Sequence, residues 1–251
     1  MDCKYLIKVP ELPATTLAAS CYQNMFSGCT LLTTIPSLPA TTLADRCYDS
    51  MFSGCTGLTT IPDNLLPATT LANGCYNYMF SDCTSLTTLP SNLLPATTLT
   101  YGCYDSMFYG CTGLTTIPSL PATTLADRCY SRMFSGCTRL TTIPSLPATT
   151  LAASCYQNMF SGCTGLVETP EGRYLPATTL ADSCYDSMFT NCYRLHKMAV
   201  SYSGTITASD WSNFLNNVSW AGTFYYSKNQ TKENIQSIVP EGWTLVQSTE
   251  W

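Results

Sequence analysis

Leu38 to Pro62 reads LPATTLADRCYDSMFSGCTGLTTIP, and close copies of this unit fill most of the 251 residues. Cys-Tyr pairs begin at Cys21, Cys47, Cys75, Cys103, Cys129, Cys155 and Cys184, at steps of 26 to 29 residues. Each pair is followed eight residues later by a second cysteine, from Cys29 to Cys192. A fixed period of this length is the mark of a solenoid. The period stretches at one phase only, where Asp63-Asn64-Leu65, Ser91-Asn92-Leu93 and Glu171-Gly172-Arg173-Tyr174 are added after the proline step. Insertions confined to one phase mark a tolerant loop on one edge of the array.

Within a unit, Cys47, Met51 and Cys55 are spaced i, i+4, i+8, which predicts one face of a two-turn helix. Asp45 stands where an N-cap would help and Gly54 where a helix would stop. Leu58, Thr60 and Ile61 read as a short strand ended by Pro62, which lacks a ladder donor. Thr41-Thr42-Leu43 reads as a second extended piece. The expected fold is therefore an α/β solenoid, right-handed, with a parallel sheet on one face and short helices on the other. A single coil cannot bury enough apolar surface to offset its ordering, so stacking is the stabilising device.

The order Met51-Phe52-x-x-Cys55-x-x-Leu58-x-x-Ile61-Pro62 resembles the BspA-like (Treponema-type) leucine-rich repeats. Met51-Phe52 corresponds to that family's Ala-Phe step, and Cys55, Leu58 and Ile61 to its Cys, Leu and Ile. Cys47-Tyr48 stands where the family has Ile-Gly, and about three residues are added near LPATTL. The resemblance covers residues 1–198. It implies a curved leucine-rich-repeat solenoid of the bacterial cell surface, often adhesive.

Residues 199–251 hold all four tryptophans, Trp211, Trp220, Trp243 and Trp251. Trp211, Phe214, Leu215 and Val218 suggest a helix, Gly222 to Tyr226 a strand, Thr231 to Val239 a helix and Trp243 to Val246 a strand. The chain is thus expected to divide into a repeat solenoid, 1–198, and a capping region of degenerate strand–helix coils, 199–251. A sugar-binding module is the alternative for this tail. Because Cys3 and Leu6 already fall in repeat phase, the chain is read as starting inside a repeat, with a preceding signal segment cut away.

Apolar residues make up 45% of the chain, enough for a real core, while charged residues are only 11%. A net charge of −5 argues against a nucleic-acid partner, which calls for a basic stripe. No apolar run is long enough to span a membrane. The fifteen cysteines lack the short spacing of zinc ligands, and eight helical residues would hold the two of one coil about 12 Å apart, too far for a disulfide. Buried, reduced thiols are expected, with bridges between coils as the alternative. His196 is the only histidine, so no histidine-based triad recurs. Asp49, Asp105 and Asp186 lie in different coils and read as solvated positions rather than an acid–base pair. The Tyr22–Tyr185 column suggests either partial burial or a binding stripe.

These features predict a non-enzymatic binding or adhesion protein with no cofactor and no metal, at the cell surface or secreted. Its expected partner is a host or bacterial surface protein or glycan. A structural spacer, such as a phage tail-fibre component, is the competing reading. The candidate contact positions come from the residue before the strand leucine, which varies through Leu31, Gly57, Ser85, Gly113, Arg139, Gly165 and Arg194. Leu31, Ser85, Arg139 and Arg194 are the candidate binding residues.

Overall fold

Ser20, Asn24 and Gly28 stand four residues apart, and all three take the left-handed backbone, with φ of 54°, 56° and 73°. That conformation cannot occur inside an α-helix. The computed structural model describes residues 4–169, 174–207 and 209–249, and in it the Cys-Tyr segments are ladders of overlapping turns. The N–H groups of Gln23, Met25 and Ser27 donate to the carbonyls of Ser20, Tyr22 and Asn24, each three residues back, at 3.1 to 3.2 Å. The alternating N–H groups of Tyr22, Asn24, Phe26 and Gly28 leave the coil. They donate to the carbonyls of Cys47, Asp49, Met51 and Ser53 in the next coil, at 2.7 to 2.9 Å.

The expected helices of the Cys face are therefore corrected to turns. An isolated two-turn helix is marginal, whereas the turn ladder directs half of its amide donors into the stacking interface. Left-handed residues form three columns, beginning at Ser20, Asn24 and Gly28 and recurring at Arg46, Ser50 and Gly54 and onward. Gly54 is the third such position rather than a helix stop. The Asp45 carboxylate does not cap its own coil; it accepts the Asn73 N–H of the next, at 3.0 Å.

The inward spacing survives the change. In a four-residue turn repeat, Cys47-Tyr48, Met51-Phe52 and Cys55 all point to the core, and all are buried. Phe26 to Phe189 form one continuous stack with ring centroids 5.6 to 5.9 Å apart. The tyrosines from Tyr22 to Tyr185 form a second, at 5.7 to 5.9 Å. From Tyr48 onward these tyrosines are fully buried, so the column is core and not a binding stripe.

Every cysteine from Cys47 to Cys192 is a buried free thiol. Cys55 Sγ donates to the Phe26 carbonyl of the preceding coil at 3.2 Å, and Cys83, Cys111, Cys137, Cys163 and Cys192 repeat the contact. A small apolar side chain with one weak donor suits this site, because the phenylalanine carbonyl keeps a lone pair to spare. Cys21 is exposed, against the expectation of burial: no turn ladder lies on the outer side of its coil among the described residues. Cys3 lies outside the described residues.

The Leu-Thr-Thr-Ile segments do run side by side and parallel, but the continuous sheet expected there is reduced to scattered contacts. Thr87 and Thr115 N–H groups reach the Thr59 and Thr87 carbonyls at 3.3 and 3.0 Å, while single parallel bridges, Thr16 to Thr42, Thr98 to Thr124 and Thr150 to Thr179, fall in the Ala-Thr-Thr-Leu segments instead. Two prolines per coil, such as Pro36 and Pro39, remove ladder donors here. Where the prolines stop, strands form. Lys197–Val200 (β1), Thr223–Tyr226 (β2) and Thr244–Gln247 (β3) make a parallel sheet in the order β1-β2-β3. Met198, Phe224 and Leu245 share one register position across it.

At the inserted phase, the Asn92 side-chain amide donates to Asn64 Oδ1 at 2.7 Å, so the edge loops stack as well. Leu65, Leu93 and Tyr174 turn inward and are buried, while Glu171 to Arg173 lie outside the described residues.

The turn ladder continues past residue 198. Tyr185, Ser187, Phe189 and Asn191 N–H groups donate to the carbonyls of Asp210, Ser212, Phe214 and Asn216 at 2.7 to 3.1 Å. Trp211 then takes the place of the column tyrosine and Leu215 that of the phenylalanine, and Asn213 and Asn217 are left-handed. The helix expected around Trp211 is thus another turn segment. The only α-helix among the described residues is Lys232–Gln236 (α1), shorter than expected, with the Thr231 hydroxyl accepting the Asn234 N–H.

Candidate functional site: a glycine-floored cleft on the turn face

Leu31, Ser85, Arg139 and Arg194 are all exposed, so the residues before the strand leucine are available for contact. They sit in alternate coils, roughly 10 Å apart at parallel-strand spacing, and form no continuous patch. The intervening Gly57, Gly113 and Gly165 have a packing cause. A Cβ at Gly57 would stand 2.6 Å from the Thr30 carbonyl, at Gly113 2.5 Å from that of Thr84, and at Gly165 2.8 Å from that of Thr138. Half the variation in this column is therefore steric, and it does not mark contact points by itself.

A different place concentrates the array's exceptions. In the first left-handed column, Ser20, Arg46, Arg128, Ser154 and Ser183 bear side chains, but the two middle coils have Gly74 and Gly102. One residue earlier, where sister coils carry Ala19, Asp45, Asn73, Asp127 and Ala153, the fourth coil carries Tyr101. In the second left-handed column the third coil carries Tyr78. Removal of two side chains from one column opens a cleft of about 430 Å³.

Its floor is the backbone of Gly74 and Gly102, and Tyr78 and Tyr101 stand exposed on its walls. Arg46 lies at one end, with its Cγ 3.4 Å from where a Gly74 Cβ would sit. At the other end Arg128 donates through Nε and Nη2 to Asp105 Oδ2, at 3.3 and 3.2 Å. The other Asp105 oxygen accepts the Ser106 hydroxyl at 2.8 Å. Asn77 Oδ1 is buried at the lining without a hydrogen-bond partner. Asp45 and Asp105 balance Arg46 and Arg128, so the cleft carries no net charge.

The aspartates read as solvated are instead ties between coils. Asp49 and Asp105 are buried, and Asp49 and Asp186 accept the side-chain amides of Gln23 and Gln157 at 3.2 and 2.9 Å. His196 is exposed and its Nδ1 lies 3.0 Å from the Arg194 carbonyl. Among the described residues no three His, Cys, Asp or Glu side chains gather as a metal site would require. No described helix is long and apolar enough to cross a membrane.

The profile of the BspA type leucine rich repeat region matches residues 3–94 and 77–216, in six copies. The chain belongs to that family. The match runs to residue 216, as far as the turn ladder does. No curated protein and no solved structure matches this BspA-type chain. Repeats of this family serve binding and are generally not catalytic.

Sequence reasoning missed the cleft, although its signal was present. Tyr78 and Tyr101 are aromatic departures from small or polar columns, and they fall in the same two neighbouring coils as Gly74 and Gly102.

Proposed function

We propose that this BspA-type array is a non-enzymatic adhesion protein of the cell surface, or a secreted one, that holds a surface protein or glycan on its solenoid. The observation that carries this reading is the contrast between inside and outside. Buried positions repeat nearly unchanged from coil to coil, whereas two exposed aromatic departures, Tyr78 and Tyr101, and two side-chain deletions, Gly74 and Gly102, meet around one cleft. A scaffold under selection for length alone has no physical reason to place two exposed tyrosines and two adjacent side-chain deletions together. Leu31, Ser85, Arg139 and Arg194, exposed just beyond the turn segments of their coils, are auxiliary contacts. We further propose a right-handed winding, since parallel strands such as β1 and β2 are joined almost always in that sense. In this reading the solenoid spans 1–198, and residues 199–251 act as a cap.

The spacer reading draws on the near identity of residues 38–62 and 120–144, as expected where repeats set only length. Both are tested by immobilising the folded chain and exposing it to arrays of matrix proteins and glycans. Saturable binding that is lost on denaturation supports adhesion. Binding to nothing on either array would leave the spacer.

A further inference from the structure

We infer that the cleft over Gly74 and Gly102 is a subsite for a neutral saccharide; this rests on the adhesion reading above and narrows it. Three independent observations meet there. The cleft falls within the size range of small-ligand sites, about 300–1,000 Å³. Asn77 presents a buried carboxamide oxygen with no donor, and buried acceptors of this kind are ordinarily satisfied. Tyr78 holds a bulky aromatic side chain at φ 50°, a conformation that costs on the order of 1–3 kcal/mol and gathers at functional sites. Sister coils fill that left-handed position with Asn24, Ser50, Ser106, Arg132, Asn158 or Ser187, so the fold requires the backbone conformation but not an aromatic ring.

The chemistry selects among ligands. Zero net charge gives no hold on a phosphate or a polyanion. An extended peptide would need unpaired backbone groups, but the turn ladder consumes them. Gly74, Tyr78 and Gly102 N–H groups already donate to the carbonyls of Tyr101, Asp105 and Asp127. What remains is side-chain chemistry: two exposed phenol rings, an orphan acceptor, a guanidinium donor at Arg46 and a flat glycine floor. A pyranose ring offers the complement, an apolar C–H face for a tyrosine and hydroxyls that both donate and accept.

The test is titration calorimetry of the full chain with maltotriose, cellotriose, xylotriose and triacetylchitotriose. At least one should bind. Tyr101→Ala and Tyr78→Ser should each weaken it about tenfold, a loss of ~1.4 kcal/mol. Gly102→Ser, which restores the side chain borne by coils with Ser20 or Ser154, should weaken it comparably. Tyr109→Ser lies outside the cleft lining and should bind as the unaltered protein does. No binding by any of the four sugars, or binding indifferent to all three cleft variants, overturns the saccharide assignment. So does capture of an unstructured peptide in the cleft without sugar binding. If protein partners still bind on the array, only this inference falls; if nothing binds at all, the adhesion reading falls with it.

Discussion

Gly54 distinguishes a turn ladder from a helix by the sign of one substitution. An added Cβ meets nothing closer than 3.7 Å, so Gly54→Ala changes backbone preference and little else. In a helix that change would stabilise by ~1 kcal/mol. At φ 71° it should instead destabilise by about 1–2 kcal/mol, lowering Tm in a thermal melt. A higher Tm would mean that the segment is helical after all. The thiols give a second residue-scale expectation. Burial pushes the Cys55 and Cys111 thiols up to about 12, and those of Cys47, Cys103 and Cys184 to about 11, from an ordinary value of 9.0. The fold thus favours the neutral thiol. Its contribution is intact below pH 9 and is lost as pH rises toward 11 to 12, because the unfolded chain ionises first. Denaturant midpoints should hold level up to about pH 9 and fall steeply above it. Native protein at pH 8 should label quickly at Cys21 and only slowly at Cys55 or Cys111; fast labelling of the column would contradict their burial.

At the scale of the coil, the stacked rings and the glycine notches set different costs. Phe108 is fully buried between Phe80 and Phe134, at 5.7 and 5.6 Å, so Phe108→Ala should cost ~3–5 kcal/mol. Arg139→Ala, at an exposed position, should stay within about 0.5 kcal/mol. Comparable Tm losses for the two would refute this division of inside from outside. The division itself was legible from sequence, because Cys47, Met51 and Cys55 point inward in a helix and in a four-residue turn repeat alike. The two periods, 3.6 and 4, diverge little over eight residues. What separates them is the tolerance of every fourth residue for a positive φ, and Ser20, Asn24 and Gly28 do carry that signal. It is blurred where Arg46 or Tyr78 occupies the same column. The tail strands β2 and β3 were legible to within a residue at each end, since their local patterns meet no competing turn chemistry, whereas α1 stops at Gln236, short of the expected Val239. The cleft was not, because it arises from side chains missing in two adjacent coils, which only register brings together.

For the whole molecule, the weakest point of a stacked array is its last open coil. There the two aromatic columns change character. Tyr185 meets Trp211 tilted at 40°, and Phe189 meets Phe214 edge-on at 82°, where every earlier pair is stacked within 19°. Trp211, Phe214 and Leu215 are buried in turn, as are Ile235, Val239 and Trp243, and the Trp243 indole donates to the Ser219 carbonyl at 2.8 Å. Trp220 is exposed, which leaves the sugar-module alternative one ring to work with among the described tryptophans. Truncation after Met198 would strip the ladder acceptors from Tyr185 through Asn191 and expose Met188 and Phe189. It should therefore raise hydrophobic-dye binding and drive association through coil ends. Truncation after Asn217 keeps those acceptors and should be milder on both measures. If the chain cut at 198 stayed monomeric and equally stable while losing a glycan bound by the full chain, residues 199–251 would be a binding module, and the cap proposal would be withdrawn.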